Sequence, residues 1–277
     1  MRIESLRERA PIERFLRRSA AAQVYALADL DDAFWPDTRW FATRGSDGEI
    51  DAVCLVLEKL ALPIVHAVAE PREPATLGLV RALSAQLPRR FFVNLPVGYE
   101  SVFADTHEIA GHGEYVKMQL DDAAGLEKLE IPGIERLGAE HTAEIEDFRA
   151  KRAYRDGEKA GGFFAPYMLE MFPWFGLREH GDLVSVAGVH VFSQRYGVAA
   201  LGNVATTPAR RGRGLGRAVC ARLARELAAR VPLVGLNVAT SNAAARRCYE
   251  ALGFRTVLRY EEAVLTRRDE SLGGPRP

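Results

Sequence analysis

"RRGRGLGRAV", residues Arg210–Val219, combines three glycines with four arginines. It follows a β-rich run that ends at Pro208, and it leads into a segment with apolar residues at steps of four, typical of one helix face. The first amides of a helix have no intrahelical partner, and glycines let a loop bring several such amides to one anion. The stretch therefore predicts a phosphate or pyrophosphate site. A glycine-rich helix entry without a ligand is the plain alternative.

The spacing excludes two common phosphate-binding motifs. A dinucleotide fingerprint needs Gly-x-Gly-x-x-Gly and an acidic residue about 20 positions later. This chain instead has Gly212, Gly214 and Gly216, and "LVGLNVAT" ends without an acid. A P-loop needs Gly-Lys-Ser/Thr, and the stretch contains no lysine. Arginine-glycine segments that bind nucleic acids are longer and lack a flanking strand and helix, so that interpretation is disfavoured too.

Composition indicates an intracellular globular protein. The 277 residues carry 37 basic and 37 acidic side chains, which argues against a bulk nucleic-acid binder or a polybasic membrane protein. Three scattered cysteines are too few for a disulfide framework or a tetrahedral zinc site, so we expect a reduced, cytoplasmic setting and no metal. The N-terminus lacks the apolar stretch of a signal peptide. The longest apolar run, residues 53–69, is interrupted by Glu58, Lys59 and Pro63, which predicts two strands rather than a membrane span.

The second half of the chain predicts the order β-α-α-β-β-α-β-α-β. A short strand and an amphipathic helix are expected in residues 132–154, and a second helical stretch in residues 160–176. Two β-rich runs that turn at "QRYG" predict an antiparallel hairpin. The helix after the glycines, the strand "LVGLNVAT", a short helix and a last strand complete the order. The short helix is expected to be capped by Ser241 or Asn242 and ended by Gly253.

The first half repeats much of this order. We expect strands at 38–45, 49–59, 63–71, 89–96 and 113–120, and helices at 74–87 and 98–106. "HAVAEPREPATLGLVRAL" shares its strand, proline and helix with "GNVATTPARRGRGLGRAVCARL", which we interpret as an ancient internal duplication; two unrelated α/β halves are the alternative. The boundary is expected in the polar, turn-rich residues 121–133, giving domains 1–128 and 129–277. The first half has one glycine where the second has the glycine loop, so it lost that loop or never had it.

The pattern that remains for the loop is Arg-x-x-Gly-x-Gly between a strand and a helix, met by Arg211, Gly214 and Gly216. It is preceded by "VATTP" and followed by "NAAARRCYEALGF", residues 242–254. In this order the motifs resemble the GNAT superfamily of acyl-CoA-dependent N-acyltransferases over about residues 130–267, and more weakly over the first half. The resemblance is closest to two-domain members with a degenerate N-terminal copy. It implies an α/β fold with a mixed (α+β) sheet, in which a GNAT fold in the C-terminal half stands in tandem with a GNAT-like N-terminal half.

The same resemblance implies the binding site of the coenzyme. Acetyl-CoA or another acyl-CoA would be the co-substrate, with its pyrophosphate held mainly by backbone amides of the loop. The strand before the loop would part from its neighbour at a bulge and pair with the pantetheine arm. The residues so implicated are Val204, Ala205, Thr206, Arg211, Gly212, Arg213, Gly214, Leu215, Gly216 and Asn242.

Catalytic candidates follow from the resemblance and from the titratable residues nearby. In relatives, a tyrosine at the position of Tyr249 protonates the departing thiolate; a core tyrosine is the alternative. No carboxylate occurs in "GVAALGNVATTP", and Asn203 can orient a water but cannot take a proton. His190 on the adjacent strand is therefore the first candidate for the general base, followed by Glu261 and Glu262. A structural His190, with an acceptor that arrives partly neutral, is the other interpretation.

The acceptor is expected to be a small-molecule or peptide amine rather than a nucleic acid or a membrane. Its pocket should come from residues 153–176, where relatives vary. Five apolar residues there form either the pocket wall or the packed core: Phe163, Phe164, Tyr167, Met168 and Trp174. Cys220 and Cys248 are expected to be small core residues. Two further hypotheses stay open, a non-catalytic acyl-CoA sensor or docking module and a first half that recognises a protein or peptide acceptor.

Overall fold

The computed structural model describes residues 2–67, 74–129, 131–154 and 164–268, and it shows one order of elements twice. The first half contains β1 (Glu4–Leu6), α1 (Arg9–Leu16), α2 (Val24–Ala28), β2 (Thr38–Arg44), β3 (Ile50–Leu57), β4 (Ile64–His66), α3 (Pro74–Leu83), β5 (Arg90–Leu95), α4 (Glu100–Phe103) and β6 (His107–Leu120). The second half contains β7 (Ile134–Leu137), α5 (Thr142–Asp147), α6 (Tyr167–Met171), β8 (Trp174–Glu179), β9 (Asp182–Ser193), β10 (Val198–Thr206), α7 (Leu215–Ala228), β11 (Leu233–Ala239), α8 (Ala243–Glu250) and β12 (Phe254–Arg267). The repeated order is the one that an internal duplication predicts.

The helical stretch predicted at residues 160–176 is wrong at its C-terminal end, because α6 stops at Met171 and β8 begins at Trp174. Pro173 has no amide hydrogen to continue a helix, and the residue before a proline favours extended backbone. Phe172 accordingly has φ −126° and ψ 153°. β8 pairs with β7 and β9, and its aromatic side chains are buried. The aromatic run that suggested a helix is therefore a buried strand. Residues 160–163 lie outside the described part of the chain.

The chain forms two compact units that exchange two segments. The first unit comprises the described parts of Met1–Ala22, Asp32–Val116 and Leu258–Pro277, and the second comprises those of Gln23–Asp31 and Lys117–Val257. The last strand joins the first unit because β12 pairs antiparallel with β5, from Glu261 opposite Leu95 to Thr266 opposite Arg90. Helix α2 joins the second unit, where it contacts β9, β10 and β11. The sequence predicts one linear division between residues 128 and 129, and it does not predict the two exchanged segments.

The first unit is a mixed sheet with helix α3 packed on it. Its strands follow the order β1-β2-β3-β4-β5-β12, in which β4 and β5 are parallel and the other neighbours are antiparallel. The hydrophobic core includes Leu79 of α3, Phe91 of β5 and Phe103 of α4, all fully buried. The strands and helices predicted for this half from β2 onward are present, although β6 begins at His107, six residues before the expected start. Residues 68–71 of the strand expected at 63–71 lie outside the described part of the chain.

The second unit is also a mixed sheet, and helix α7, which follows the glycine stretch, packs on it. The strands follow the order β11-β10-β9-β8-β7, with β10 and β11 parallel and the other pairs antiparallel. The hairpin predicted at "QRYG" is confirmed as the β9–β10 pair. Helix α7 contacts β8, β9 and β10 through a face that includes Val219, Leu223 and Leu227, as the steps of four predict. At 14 residues it is the longest described helix, and none of the described helices has the length and apolar character needed to cross a membrane.

Candidate active site

The glycine loop is an open turn at the start of α7. Gly212 and Gly214 both have φ +79°, a left-handed backbone conformation that L side chains rarely adopt. Gly214 is the N-cap of the helix, and the amide of Ala218 donates to its carbonyl oxygen at 3.0 Å. Because that bond opens the helical ladder, the preceding amides have no intrahelical acceptor. A Cβ at either glycine would meet no atom within 4 Å, so the space beside both Cα atoms is open.

The third glycine has a different role, because it permits close packing. A Cβ at Gly216 would lie 3.0 Å from the hydroxyl oxygen of Thr206, the last residue of β10. That hydroxyl is fixed by Ser185 of β9, whose own hydroxyl oxygen lies 2.8 Å away. The first turn of α7 is therefore set against the end of β10, which brings the loop amides and the strand end to one place.

The loop arginines hold this arrangement and supply positive charge. Nε of Arg211 donates to the carbonyl oxygen of Thr206 at 3.1 Å, and Nη2 donates to that of Ala153 at 3.0 Å. Arg210 and Arg213 both approach the carboxylate of Glu179. Since Arg211 is engaged with backbone oxygens, the amides at the helix start remain the groups predicted to bind an anion.

Strands β10 and β11 part beside the loop. Their register runs from Val198 opposite Leu233 to Leu201 opposite Leu236, and no further pair joins them in the described residues. Both strands nevertheless continue, to Thr206 and Ala239 respectively. The edge of β10 that carries Val204, Ala205 and Thr206 is thus left without its neighbouring strand, which is the arrangement predicted for these three residues.

A bulge in β10 accompanies the parting. The register with β9 shifts between Gly202 and Ala205, and Asn203 has φ +53°, unusual for a residue with a side chain. Asn203 is buried, and its Oδ1 atom accepts a hydrogen bond of 2.7 Å from Nη1 of Arg149. Arg149 lies in a π-helical turn, Phe148–Arg152, that continues α5. Such turns occur frequently at functional sites.

Helix α8 carries the two motif residues that follow the loop. Asn242 is its N-cap, and Oδ1 accepts from the amide of Ala245 at 3.1 Å, which confirms the predicted cap. Tyr249 is 8% exposed. Burial raises the pKa of its hydroxyl well above the usual value, and nearby Cys220 and Cys248 raise it further. The phenol of Tyr249 therefore carries its proton at neutral pH, as a general acid requires.

His190 lies on β9 against the bulge. A Cβ at Gly202 would come within 2.4 Å of its imidazole, so the glycine makes room for the ring. Burial lowers the pKa of His190 to about 4, and the charge of Arg149 contributes, while a side-chain interaction with Asn203 acts in the opposite direction. The ring is consequently neutral at pH 7, where it is a much weaker base than an ordinary histidine.

Two residues that sequence reasoning missed lie beside His190. The hydroxyl oxygen of Tyr25 in α2 is 3.4 Å from Nδ1 of His190, and its ring meets the imidazole edge-on. Nζ of Lys117 lies 5.1 Å from the centroid of the Tyr25 ring. Tyr25 is also close enough to Tyr249 to raise its pKa. The two catalytic candidates thus share one neighbour. No motif marks Tyr25, and only the folded chain brings it to this site.

A buried carboxyl group also lies on α2. Asp29 is 8% exposed, and its amide donates to the carbonyl oxygen of Tyr25 at 3.0 Å. Burial raises the pKa of Asp29 to about 7, although the charge of Lys117 opposes the shift. The sequence does not indicate Asp29 as a site residue, because it lies far along the chain from the glycine loop and from His190.

The remaining candidates lie elsewhere or in the core. Glu261 and Glu262 belong to the first unit, where Glu261 accepts from the amide of Gly98 at 3.1 Å and Glu262 accepts from the hydroxyl of Tyr260. Among the apolar residues proposed for the acceptor wall, Met168 and Trp174 are buried, Phe164 meets Trp174 edge-on and Tyr167 is the first residue of α6. Phe163 lies outside the described residues. Cys220 is buried and Cys248 is half-buried, and both are unbonded thiols.

Comparison with known proteins agrees with this geometry. Residues 162–254 match the family model described as the acetyltransferase (GNAT) family. This segment is a GNAT acetyltransferase domain. A GNAT-family protein from Novosphingobium aromaticivorans has the same fold, with a TM-score of 0.61 and 20% identity over 90% of this chain and 99% of that one. A protein from Drosophila has a TM-score of 0.66 and 13% identity over 95% and 98% of the two chains.

The tandem arrangement is also found in a solved structure. A tandem GNAT protein from the clavulanic acid biosynthesis pathway, determined without AcCoA, has a TM-score of 0.55 and 15% identity over 95% of this chain and 98% of that one. No curated protein matches the sequence at the significance required. The predicted GNAT acetyltransferase domain, the mixed sheet and the tandem fold are thus confirmed.

Proposed function

We propose that the second unit transfers an acetyl or other small acyl group from coenzyme A to an amine, by direct attack within a ternary complex. The observation that carries this proposal is the parting of β10 from β11 beside a helix start whose glycines leave its amides open. Unpaired amides at a helix start are suited to binding a diphosphate. An extended pantetheine arm fits as an added strand along Val204, Ala205 and Thr206.

The proposed chemistry needs no covalent enzyme intermediate. The lone pair of the amine attacks the thioester carbonyl carbon, a C–N bond forms, and the C–S bond breaks. Tyr249 gives its proton to the departing sulfur, and the proton lost from the amine nitrogen returns to the tyrosine through solvent, so the products are an amide and a thiol. Most of the acceleration then comes from orientation and from a backbone N–H of β10 aimed at the carbonyl oxygen.

We assign the loss of the amine proton to the surroundings of the β10 bulge, where Asn203 and His190 lie, rather than to a carboxylate on the strand. Strand β10 contains no acidic residue. Asn203 orients a water, and neutral His190 contacts that water or the acceptor. Because the pKa of His190 is lowered to about 4, the ring does not hold a second proton at pH 7, and the acceptor is taken to bind partly as the free amine. The acceptor itself is a small-molecule or peptide amine.

Thiol release tests the proposal directly. The protein is incubated with acetyl-CoA and a pooled panel of small amines and short peptides, and free coenzyme A thiol is followed with time. The proposal predicts amine-dependent release that is lost in Gly214→Glu. It predicts normal release in Gly181→Glu, a control with the same new charge at an open left-handed glycine of the β8–β9 turn. Tight acetyl-CoA binding without release on any amine would favour the sensor hypothesis instead.

A further inference from the structure

The Tyr25–His190 contact defines a fixed hydrogen-bonding state of the imidazole. One face of the ring lies against Gly202, where no side chain fits. Nδ1 lies 3.4 Å from the hydroxyl oxygen of Tyr25, a long contact of the kind that tightens when ligands bind. The ring is therefore fixed on two sides, by β10 and by α2.

The charges around the pair decide which partner donates. A neutral imidazole has one N–H, and Tyr25 could in principle give or take the hydrogen bond at Nδ1. Lys117 lies over the Tyr25 ring at 5.1 Å, and a cation there makes the phenol oxygen a poorer acceptor and its O–H a better donor. Tyr25 then donates to Nδ1, and the proton of the neutral ring resides on Nε2.

The second ring nitrogen faces the bulge. Nε2 is buried and makes no hydrogen bond of good geometry within the described residues, although it is among the ring atoms closest to Gly202. Asn203 is near enough to favour a proton on the ring. Arg149, which donates to Oδ1 of Asn203, discourages a second proton by its charge. Tyr25 and Lys117 thus favour hydrogen on Nε2, while burial and the charge of Arg149 keep the ring neutral against the opposing effect of Asn203.

We propose that Tyr25 is a positioning residue that fixes His190 as the Nε2–H tautomer, so that His190 serves the acyl transfer as a neutral hydrogen-bond donor and not as the general base. This inference rests on the proposed function for its catalytic meaning, but the tautomer itself is a property of the free protein. It also makes α2, from the N-terminal part of the chain, a component of the catalytic site. The donor would hold an oxygen of the acceptor, the thioester or a bound water beside the bulge.

The tautomer can be read by long-range ¹H–¹⁵N spectroscopy of full-length protein labelled at histidine. His190→Gln identifies the resonances of His190 among those of the six histidines. We expect Nε2 protonated and Nδ1 bare in the wild type, and averaged tautomers in Tyr25→Phe. Tyr196→Phe, a buried tyrosine in the β9–β10 hairpin, is the matched control and should leave the spectrum unchanged. A wild-type ring protonated on Nδ1 overturns the proposal, even if Tyr25→Phe fails to fold.

Kinetics supply the second readout. Tyr25→Phe should lower kcat about tenfold, as loss of an orienting partner typically does, with little change in KM for acetyl-CoA. Tyr196→Phe should leave both constants unchanged. Unchanged kcat in folded Tyr25→Phe would remove Tyr25 from the site while the proposed acyl transfer stands. Absence of thiol release from the wild type with every amine would instead defeat the proposed function, and the spectra would still decide the tautomer.

Discussion

Gly214→Glu is the sharpest perturbation of the proposed coenzyme site. The backbone at Gly214 has φ +79°, and a Cβ there meets no atom within 4 Å, so the glutamate enters open space over the helix start. Placing a side chain in this conformation costs about 1–2 kcal/mol of folding free energy. A carboxylate about 5 Å from a diphosphate charge adds about 0.8 kcal/mol of repulsion at the dielectric of water and about 3 kcal/mol near a protein surface. Two such charges weaken binding by at least about 1.6 kcal/mol, which is more than tenfold in Kd.

Two companion variants separate charge from strain. Gly214→Ala carries the strain without the charge, and Gly181→Glu carries the charge and a comparable strain at φ +90°, where the space is also open. Calorimetric titration with coenzyme A should give a raised Kd for Gly214→Glu, a much smaller change for Gly214→Ala and none for Gly181→Glu. The penalty should shrink as salt rises, since exposed charges are screened. Equal coenzyme A affinities for Gly214→Glu and Gly181→Glu would refute the assignment of the helix start.

Three other predictions concern the acceptor side. Tyr249→Phe should lower turnover more than tenfold with unchanged coenzyme A affinity, because it removes a proton donor and no volume; equal turnover would make Tyr249 a packing residue. Gly202→Ala should lower the free energy of unfolding by about 1–3 kcal/mol, since its Cβ would lie 2.4 Å from His190; thermal unfolding checks this against Gly125→Ala, where a Cβ meets nothing within 4 Å. Since the pKa of His190 is lowered from 6.5 to about 4, the unfolded chain binds more protons between these values, and His190 makes the folded state lose stability as pH falls through that window. The pKa of Asp29 is raised from 3.8 to about 7, so Asp29 has the opposite effect on stability. The contribution of His190 is therefore measured as the pH dependence of the wild-type unfolding free energy minus that of His190→Gln, and a zero difference would contradict the prediction.

The part of the site that depends on local sequence was predictable. The conformations of Gly212 and Gly214, the Asn242 cap and the hairpin before the loop each follow from a few neighbouring residues. The two halves could be matched for the same reason, because helix and strand periodicity are local signals. The error at β8 shows the limit, since a short apolar run is compatible with either a helix or a buried strand, and only its partners β7 and β9 decide between them.

The acceptor side depends on contacts that no spacing reveals. Tyr25 and His190 are 165 positions apart, and Arg149 and Asn203 are 54 apart. The position of α2 in the second unit and that of the last strand in the first are properties of the folded chain. The lowered pKa of His190 likewise arises mainly from burial, which cannot be predicted from the presence of a histidine in a strand. The sequence consequently predicts a coenzyme site at the glycine loop and leaves the amine chemistry open.

A crystal structure of the 277-residue chain with coenzyme A would show directly whether the glycine loop binds the coenzyme. We expect diphosphate oxygens about 3 Å from the first amides of α7, at hydrogen-bond distance, and a pantetheine arm lying between β10 and β11 along Val204 to Thr206. Coenzyme bound elsewhere with this turn empty, or a cleft between the two strands filled by the protein's own side chains, would contradict it.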